Sequence, residues 1–135
     1  MDFGSAGTNG LGWMTILACE MLQIDALNSM LNNGRTPVNE NLHLLMGSAS
    51  VAYANPSIGT LYASNLLANV EIPQAWFNMA RATYHQAHKG ITNGIVFRVM
   101  GNGNCQKDTL GTYNDPDPNQ DGWMTDELVF DPSNP

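Results

Sequence analysis

The chain has 135 residues, of which 43% are hydrophobic and 13% are charged, and its net charge at pH 7 is −7. This length accommodates one domain with one core. The composition excludes charge-driven disorder for most of the chain. No stretch approaches the roughly 18 consecutive apolar residues of a membrane-spanning helix.

The net charge is confined to one region. Acids and bases balance through Lys107, whereas residues 108–135 hold seven acidic residues and no basic one. We therefore predict an α/β core over residues 1–107 and an acidic, Asp/Pro-rich tail over residues 108–135. The lack of a basic stripe argues against nucleic-acid binding. Such a tail is suited to a cation or a basic partner.

The compartment is not decided by the sequence. Residues 1–10 show neither the basic nor the apolar region of a signal peptide. Scarce lysine with abundant asparagine and glycine nevertheless favours an extracellular or envelope setting.

In chain order, the first predicted element is a strand. Residues 12–19 (GWMTILAC) form a short apolar run that fits a strand buried on both faces. Apolar residues at helical spacing then predict a helix over residues 20–33, and Asn33-Gly34 supplies its end. A second apolar run over residues 42–47 predicts the next strand.

Two helices and a strand follow. Asn55-Pro56 is typical of a helix start, with Asn as the cap and Pro at the first helical position, and apolar spacing continues this helix to about Val70. A second helix starts at Pro73 and ends at Lys89-Gly90. Residues 94–100 (GIVFRVM) are rich in β-branched and aromatic residues and predict a third strand.

This order of elements predicts the fold class. Strands joined by helices imply parallel pairing and right-handed crossovers. We therefore predict an α/β fold with three layers and a mainly parallel sheet, followed by an irregular tail. An apolar strand such as residues 12–19 promotes aggregation when it lies unpaired at the edge of a sheet. We expect the N-terminal arm, a second copy or another protein chain to pair with it.

Three segments resemble caspase-like cysteine peptidases. They are the strand and nucleophile turn WMTILACEML, the core strand LHLLMGSASVAY, and the helix AWFNMARATYHQAH, which is similar to one in bacterial domains of the CHAT type. An uncharacterised bacterial family of this fold shows a similar order of motifs. The resemblance covers about residues 11–104 and corresponds to the C-terminal half of a caspase-like domain.

The resemblance implies that Cys19 is the nucleophile, at the carboxyl end of a parallel strand. In that superfamily the catalytic His precedes the Cys, and here no His precedes Cys19. In a parallel sheet, His43, His85 and His88 would lie at the end opposite Cys19. We therefore expect the chain to be inactive alone and to need a His from another chain.

Other interpretations of these residues stay open. Cys19 also fits a buried, inert core cysteine, and a parallel sheet would allow a Cys19–Cys105 disulfide. His85 and His88 are three residues apart on one helix face, which fits either a shared metal or an exposed helix end.

The acidic tail contains a calcium-loop pattern, D-x-[DN]-x-[DN]-G, with the twelfth position occupied by Leu128 instead of Glu. A structural Ca²⁺ and a solvated tail with Asp-Pro turns fit the pattern equally well. The predicted calcium ligands are Asp117, Asn119, Asp121, Trp123, Thr125 and Glu127.

Two functions follow from these features. The first is a caspase-like cysteine-peptidase-related domain with Cys19 in the nucleophile position. In that case the acidic loop would flank Cys19 and favour substrates with a basic residue. The alternative is a non-catalytic assembly module that pairs through strand 12–19 and binds calcium in its tail.

Overall fold

The computed structural model of the chain describes residues 12–23, 42–85, 93–114 and 122–133. The fold is mixed α/β, with four described strands in one sheet in the order β1-β2-β3-β4. The elements in chain order are β1 (Trp13–Ile16), β2 (Leu44–Ser48), α1 (Ile58–Leu67), α2 (Ile72–Tyr84), β3 (Ile95–Asn102), a short 3₁₀ helix (Gly103–Lys107) and β4 (Gly122–Phe130).

The strand directions differ from the predicted, mainly parallel sheet. β1 and β2 are parallel, but β2 pairs antiparallel with β3, and β3 pairs antiparallel with β4. Two helices connect β2 to β3, as predicted, and the expectation of parallel pairing did not take into account that each of them reverses the chain. Each helix reverses the chain, so the chain enters β3 at the end of the sheet where it left β2.

The first helix begins close to its predicted start. The side-chain oxygen of Asn55 accepts a hydrogen bond from the backbone N–H of Ser57 at 2.9 Å, and α1 begins one residue later. Asn69, just beyond α1, has a φ of 58°, a left-handed conformation that ends the helix. The short connection from residue 68 to residue 71 then places α2 beside α1.

Pro73 occupies the first turn of α2, as predicted. The Asn78 amide of α2 donates to the Asn65 side-chain oxygen of α1 at 3.0 Å. The rings of Tyr62 and Trp76 also meet edge to face, 5.5 Å apart. These contacts join the two helices into one layer.

The sheet carries side chains of a buried core on both faces, since side chains alternate along each strand. One face packs on the two helices, and its larger members include Trp76, Tyr84, Phe97, Met46 and Phe130. The other face carries a smaller cluster, which comprises Leu22, Leu42, Leu45 and Met100.

Strand β4 lies in a region for which the sequence predicts only an irregular tail. It pairs with β3 from Asn102↔Gly122 to Ile95↔Phe130, with one irregularity next to Ile95. Asp108, the first residue of the predicted tail, is also buried. The described part of that tail is therefore built into the domain.

Two further predictions concern the helices. The predicted helix over residues 20–33 lies outside the described residues from residue 24 onward, and residues 20–22 form a turn. Among the helices of the described ranges, none combines the length and apolarity needed to cross a membrane.

Candidate functional site

Cys19 lies in a tight turn at the carboxyl end of β1, and its side chain is exposed. Glu20, the next residue, has a φ of 58°, which a residue with a Cβ rarely adopts. The backbone N–H of Glu20 donates to the carbonyl of Ser50 at 3.0 Å, and that of Leu22 donates to the carbonyl of Ser48 at 3.1 Å. The turn is thus held against the end of β2.

A cavity of about 270 Å³ opens beside the thiol. The Cys19 thiol donates to the carbonyl of Ala52 at 3.0 Å. Because β1 and β2 are parallel, the segments that follow them meet at the same edge of the sheet, where ligands of α/β proteins commonly bind. The cavity is lined by Leu17, Ala18, Cys19, Ala52, Tyr53, Ala54 and Tyr84.

Two tyrosines form the wall contributed by the helix layer and the loop after β2. The Tyr84 hydroxyl donates to the Tyr53 carbonyl at 2.8 Å, and the Tyr53 hydroxyl donates to the Thr83 carbonyl at 3.1 Å. Burial, with smaller effects of the neighbouring Tyr53 and Cys19, raises the pKa of Tyr84 to about 12. Tyr84 therefore stays neutral near pH 7 and remains a hydrogen-bond donor.

The expectation that His85 lies at the end opposite Cys19 is wrong. Tyr84 lines the Cys19 cavity, and His85 follows it at the end of α2. The expectation assumed that β3 runs parallel to β2, whereas β3 is antiparallel, so the helix that leads into it ends at the Cys19 end. His88 lies outside the described residues.

The hydrogen bond of His85 defines its tautomer when the ring is neutral. Its Nδ1 lies 3.1 Å from the carbonyl oxygen of Arg81, and a carbonyl can only accept. Nδ1 therefore carries the proton, which leaves Nε2 as an acceptor. This is the protonation pattern of a general base, in an exposed ring.

Cys105 and His43 lie at the opposite end of the sheet from Cys19. The end of β3 pairs with the start of β2, where the Asn102 N–H donates to the His43 carbonyl at 3.1 Å. The placement of His43 agrees with the sequence prediction, but that of Cys105 does not, because β3 runs antiparallel. Both cysteines are free thiols, Cys19 exposed and Cys105 buried.

The predicted calcium ligands fall into two groups. Three of them, Asp117, Asn119 and Asp121, lie outside the described residues. The other three, Trp123, Thr125 and Glu127, are on β4. Gly122, which follows the loop, pairs with Asn102 at the end opposite Cys19, so the expectation that the acidic loop flanks Cys19 is wrong.

Two of the predicted ligands on β4 have partners of their own. The Trp123 indole donates to the carbonyl of Gly103 at 3.0 Å. Both carboxylate oxygens of Glu127 accept hydrogen bonds from Arg81 Nη1, at 2.8 and 2.9 Å. A calcium ion bound by Glu127 would have to compete with this ion pair.

The family to which the sequence corresponds spans nearly all of these elements. The family described as a domain of unknown function, DUF6345, matches residues 2–126. The chain belongs to this family. No curated protein and no solved structure matches the chain.

The DUF6345 description names no activity, so any chemistry of this chain depends on the residues of the site. The matched range includes the Cys19 turn, the loop after β2, both helices and β3. The described site therefore belongs to the DUF6345 domain itself.

Proposed function

We propose that this domain is a cysteine-nucleophile domain related to caspase-like peptidases, with Cys19 as the attacking thiol. The observation that carries the proposal is the position of Cys19. It is an accessible thiol on a left-handed turn, beside a cavity, at the shared carboxyl end of a parallel strand pair. Strained backbone of this kind is concentrated at active sites.

The proposed chemistry is attack on a peptide carbonyl. The Cys19 thiol gives its proton to a base, and its sulfur forms a bond to the carbonyl carbon. The peptide C–N bond breaks, and the base returns the proton to the leaving amine. Water then hydrolyses the thioester and releases the acid product with a free thiol.

The Cys19–Ala52 hydrogen bond is compatible with this role. The thiol is held by one carbonyl, 3.0 Å away, in an exposed position and not deep in the core. The cavity walls are alanine, leucine and tyrosine side chains. A peptide segment with small or apolar side chains fits such a lining.

His85 is the candidate base within this chain. It follows Tyr84, which lines the cavity, and its Nε2 is the ring nitrogen able to accept a proton. In the structure the His85 ring is hydrogen-bonded to the backbone carbonyl of Arg81, so the ring must move or turn to reach the Cys19 thiol. Catalytic hydrogen bonds often tighten only when substrate is bound.

The test measures alkylation of native protein by iodoacetamide. In a Cys105→Ser chain, where Cys19 is the one thiol, we expect alkylation at least tenfold faster than that of free cysteine at neutral pH. His85→Ala in the same background should slow the reaction about tenfold. Gln74→Ala, an exposed change near the start of α2, is the control and should leave the rate unchanged.

Two outcomes contradict the proposal. One is a Cys19 thiol that reacts no faster than free cysteine. The other is a fast Cys19 with no turnover of a library of peptides, tested for cleavage by mass spectrometry. If the rate is fast but insensitive to His85→Ala, His85 is excluded as the base, and a His from another chain becomes the alternative.

A second candidate function, self-assembly through β1, has its own supporting observation. β1 lies at the edge of the sheet that the described strands form, and all four of its residues are partly accessible. Sedimentation equilibrium over a wide concentration range tests it. A mass that rises to a dimer with concentration supports assembly, and a constant monomer mass contradicts it.

A further inference from the structure

A second cluster of reactive side chains lies at the end of the sheet opposite Cys19. It consists of His43, just before β2, Cys105 in the 3₁₀ helix, and Asp108, directly after that helix. One donor atom from each residue lies within 4.8 Å of the other two. His43 Nδ1 and Asp108 Oδ2 are 2.9 Å apart.

Cys105 and Asp108 are fully buried residues of this cluster, and His43 is nearly so. Cys105 is 0% exposed, Asp108 1% and His43 8%. A buried carboxylate needs a compensating partner, and His43 provides one. The thiol of Cys105, which lies in the 3₁₀ helix, is close to both of these side chains.

The surroundings hold the carboxylate in one orientation. Asp108 Oδ1 accepts hydrogen bonds from the backbone N–H of Asn114 at 2.7 Å and from its side-chain amide at 3.0 Å. The Asp108 carbonyl accepts from the Ile72 N–H at 2.7 Å, which fixes the backbone to the start of α2. Outer-shell bonds of this kind orient the ligands of metal sites.

An aromatic cover lies over the same cluster. The ring of Tyr113 is edge-on to His43, with ring centres 6.3 Å apart, and it stacks on Trp13 of β1 at 5.9 Å. Tyr113 itself is 53% exposed. Tyr113, from the loop that also carries Asn114, therefore covers the His43 side of the cluster.

We propose that His43, Cys105 and Asp108 form a structural zinc site. Thiolate, imidazole and carboxylate together are the donor set of Zn²⁺, whereas Ca²⁺ and Mg²⁺ take oxygen ligands. With bond lengths of about 2.0–2.3 Å, the ligand atoms of one tetrahedral zinc lie roughly 3.2–3.8 Å apart. The cluster reaches this geometry through small side-chain movements.

The fourth ligand is the carbonyl oxygen of Asn114. It lies 3.5 Å from Cys105 Sγ, within the separation that two donors of one zinc ion show. Zinc binding releases the thiol proton of Cys105. Neutral His43 then carries its proton on Nε2, so that Nδ1 can bind the ion, which breaks the hydrogen bond between Nδ1 and Asp108 Oδ2. The ion then replaces that hydrogen bond and ties β2, the 3₁₀ helix and the following loop together.

The test uses the full chain and two metals as probes. Metal-free protein is titrated with Zn²⁺ by calorimetry and with Co²⁺ by absorption spectroscopy, which shows a thiolate-to-cobalt charge-transfer band when sulfur is a ligand. We expect one ion per chain and a strong thiolate band. Cys105→Ser should abolish the band and weaken zinc binding about 100-fold or more.

The second cysteine supplies the matched control. Cys19→Ser should keep the band and the zinc affinity within about twofold, because Cys19 lies at the other end of the sheet. Circular dichroism of both variants checks that they fold. If Cys105→Ser does not fold, wild type and Cys19→Ser still decide the matter, since zinc must raise the unfolding temperature of both.

Three outcomes would overturn the site. They are the absence of metal binding by the wild-type chain, a cobalt spectrum without a thiolate band, and loss of the band in Cys19→Ser instead of Cys105→Ser. The last would assign the metal to the Cys19 cavity. The first two results do not bear on Cys19 as a nucleophile, because the alkylation test measures Cys19 in a Cys105→Ser chain without metal. The third would also contradict that role, because a thiolate bound to a metal is not a free nucleophile.

Discussion

Arg98 Nη1 donates a hydrogen bond to the Leu22 carbonyl oxygen at 2.6 Å, which ties the middle of β3 to the turn that follows Cys19. The same guanidinium binds the Asp126 carboxylate of β4 through Nη2, at 2.6 Å, and through Nε. Arg98 is 4% exposed. One buried cation thus connects three segments, one of which carries the candidate nucleophile.

Arg98→Met should therefore destabilise the protein. The change keeps much of the apolar stem but leaves the Leu22 carbonyl and the Asp126 carboxylate without this partner. We expect the free energy of unfolding to fall by about 2–3 kcal/mol, since hydrogen bonds to charged groups are worth more than neutral ones. Urea unfolding, followed by tryptophan fluorescence, measures it.

Arg81→Met is the matched control for Arg98→Met. Arg81 also binds a β4 carboxylate, that of Glu127, but its side chain is 46% exposed. An exposed ion pair contributes less than about 1 kcal/mol. Equal losses in the two variants would mean that the burial of Arg98 and its bond to the Cys19 turn contribute nothing.

Gly101→Ala should destabilise the pairing of β3 with β4. A Cβ at this position would overlap the indole of Trp123, the residue opposite it on β4. The ring would have to shift and would lose its hydrogen bond to Gly103. We expect a loss of about 1–3 kcal/mol in the free energy of unfolding, as for other overpacked sites.

Gly59→Ala makes the same substitution at a position where the added methyl group has space, so the expected effect on stability has the opposite sign. Gly59 lies in α1, and a Cβ there meets nothing within 4 Å. Alanine should stabilise the protein by about 0.5 kcal/mol, because it reduces the freedom of the unfolded chain. Thermal unfolding of both glycine variants makes the comparison, and a loss of stability in Gly59→Ala would contradict it.

Stability should decline between about pH 10 and 12. The pKa of Tyr84 is raised to about 12 in the folded protein, chiefly by burial, whereas an unfolded tyrosine titrates near 10. The stabilising contribution of Tyr84 to the free energy of unfolding is fully present below pH 10 and is lost as the pH rises through 12. The reason is that between pH 10 and 12 only the unfolded chain releases the tyrosine proton.

Tyr84→Phe separates this effect from that of other tyrosines. The variant should lose part of the alkaline decline but not all of it, since burial also raises the pKa of Tyr62. Unfolding midpoints in urea, measured from pH 8 upward, show the difference. An unchanged pH profile in Tyr84→Phe would exclude Tyr84 as a source of the alkaline decline.

The calcium prediction can be tested on the acidic loop. If the loop binds Ca²⁺, calorimetry should give one site per chain, and Asp121→Asn should weaken it about tenfold by removing a charged ligand. Asp2→Asn, outside the pattern, is the control. If calorimetry shows no heat of Ca²⁺ binding, or if both variants bind Ca²⁺ equally, the acidic loop is a solvated loop and not the predicted calcium site.

Much of the local structure is predictable from the sequence. The stretch after Pro73 has helical apolar spacing, and Trp76, Met79 and Thr83 from that predicted face are all buried in α2. The strands at residues 44–48 and 95–102 also lie close to their predicted positions. Hydrophobic periodicity and helix-capping residues involve positions close together in the chain, so the sequence alone predicts the elements that they define.

Other features depended on contacts that the linear pattern does not contain. β4 lacks a regular alternation of burial, since Met124, Thr125 and Asp126 are all exposed, so its sequence does not show the period of a strand. Its pairing with β3 makes it one. The Arg98–Asp126 pair could be predicted only if β3 and β4 were already known to be neighbouring strands. The same is true of His43 and Asp108, which are 65 residues apart.

The sequence by itself determined the class of the fold, most element positions and Cys19 as the residue of interest at the end of β1. Only the tertiary structure decided the direction of β3, and with it the neighbours of each cysteine. Two helices after β2 reverse the chain twice, so the end of α2 and His85 lie at the Cys19 end, and Cys105 joins His43 and Asp108 at the other. Local patterns predicted both helices, but the direction in which each helix crosses the sheet is fixed by its packing on the strands and on the other helix, which no local pattern of residues records.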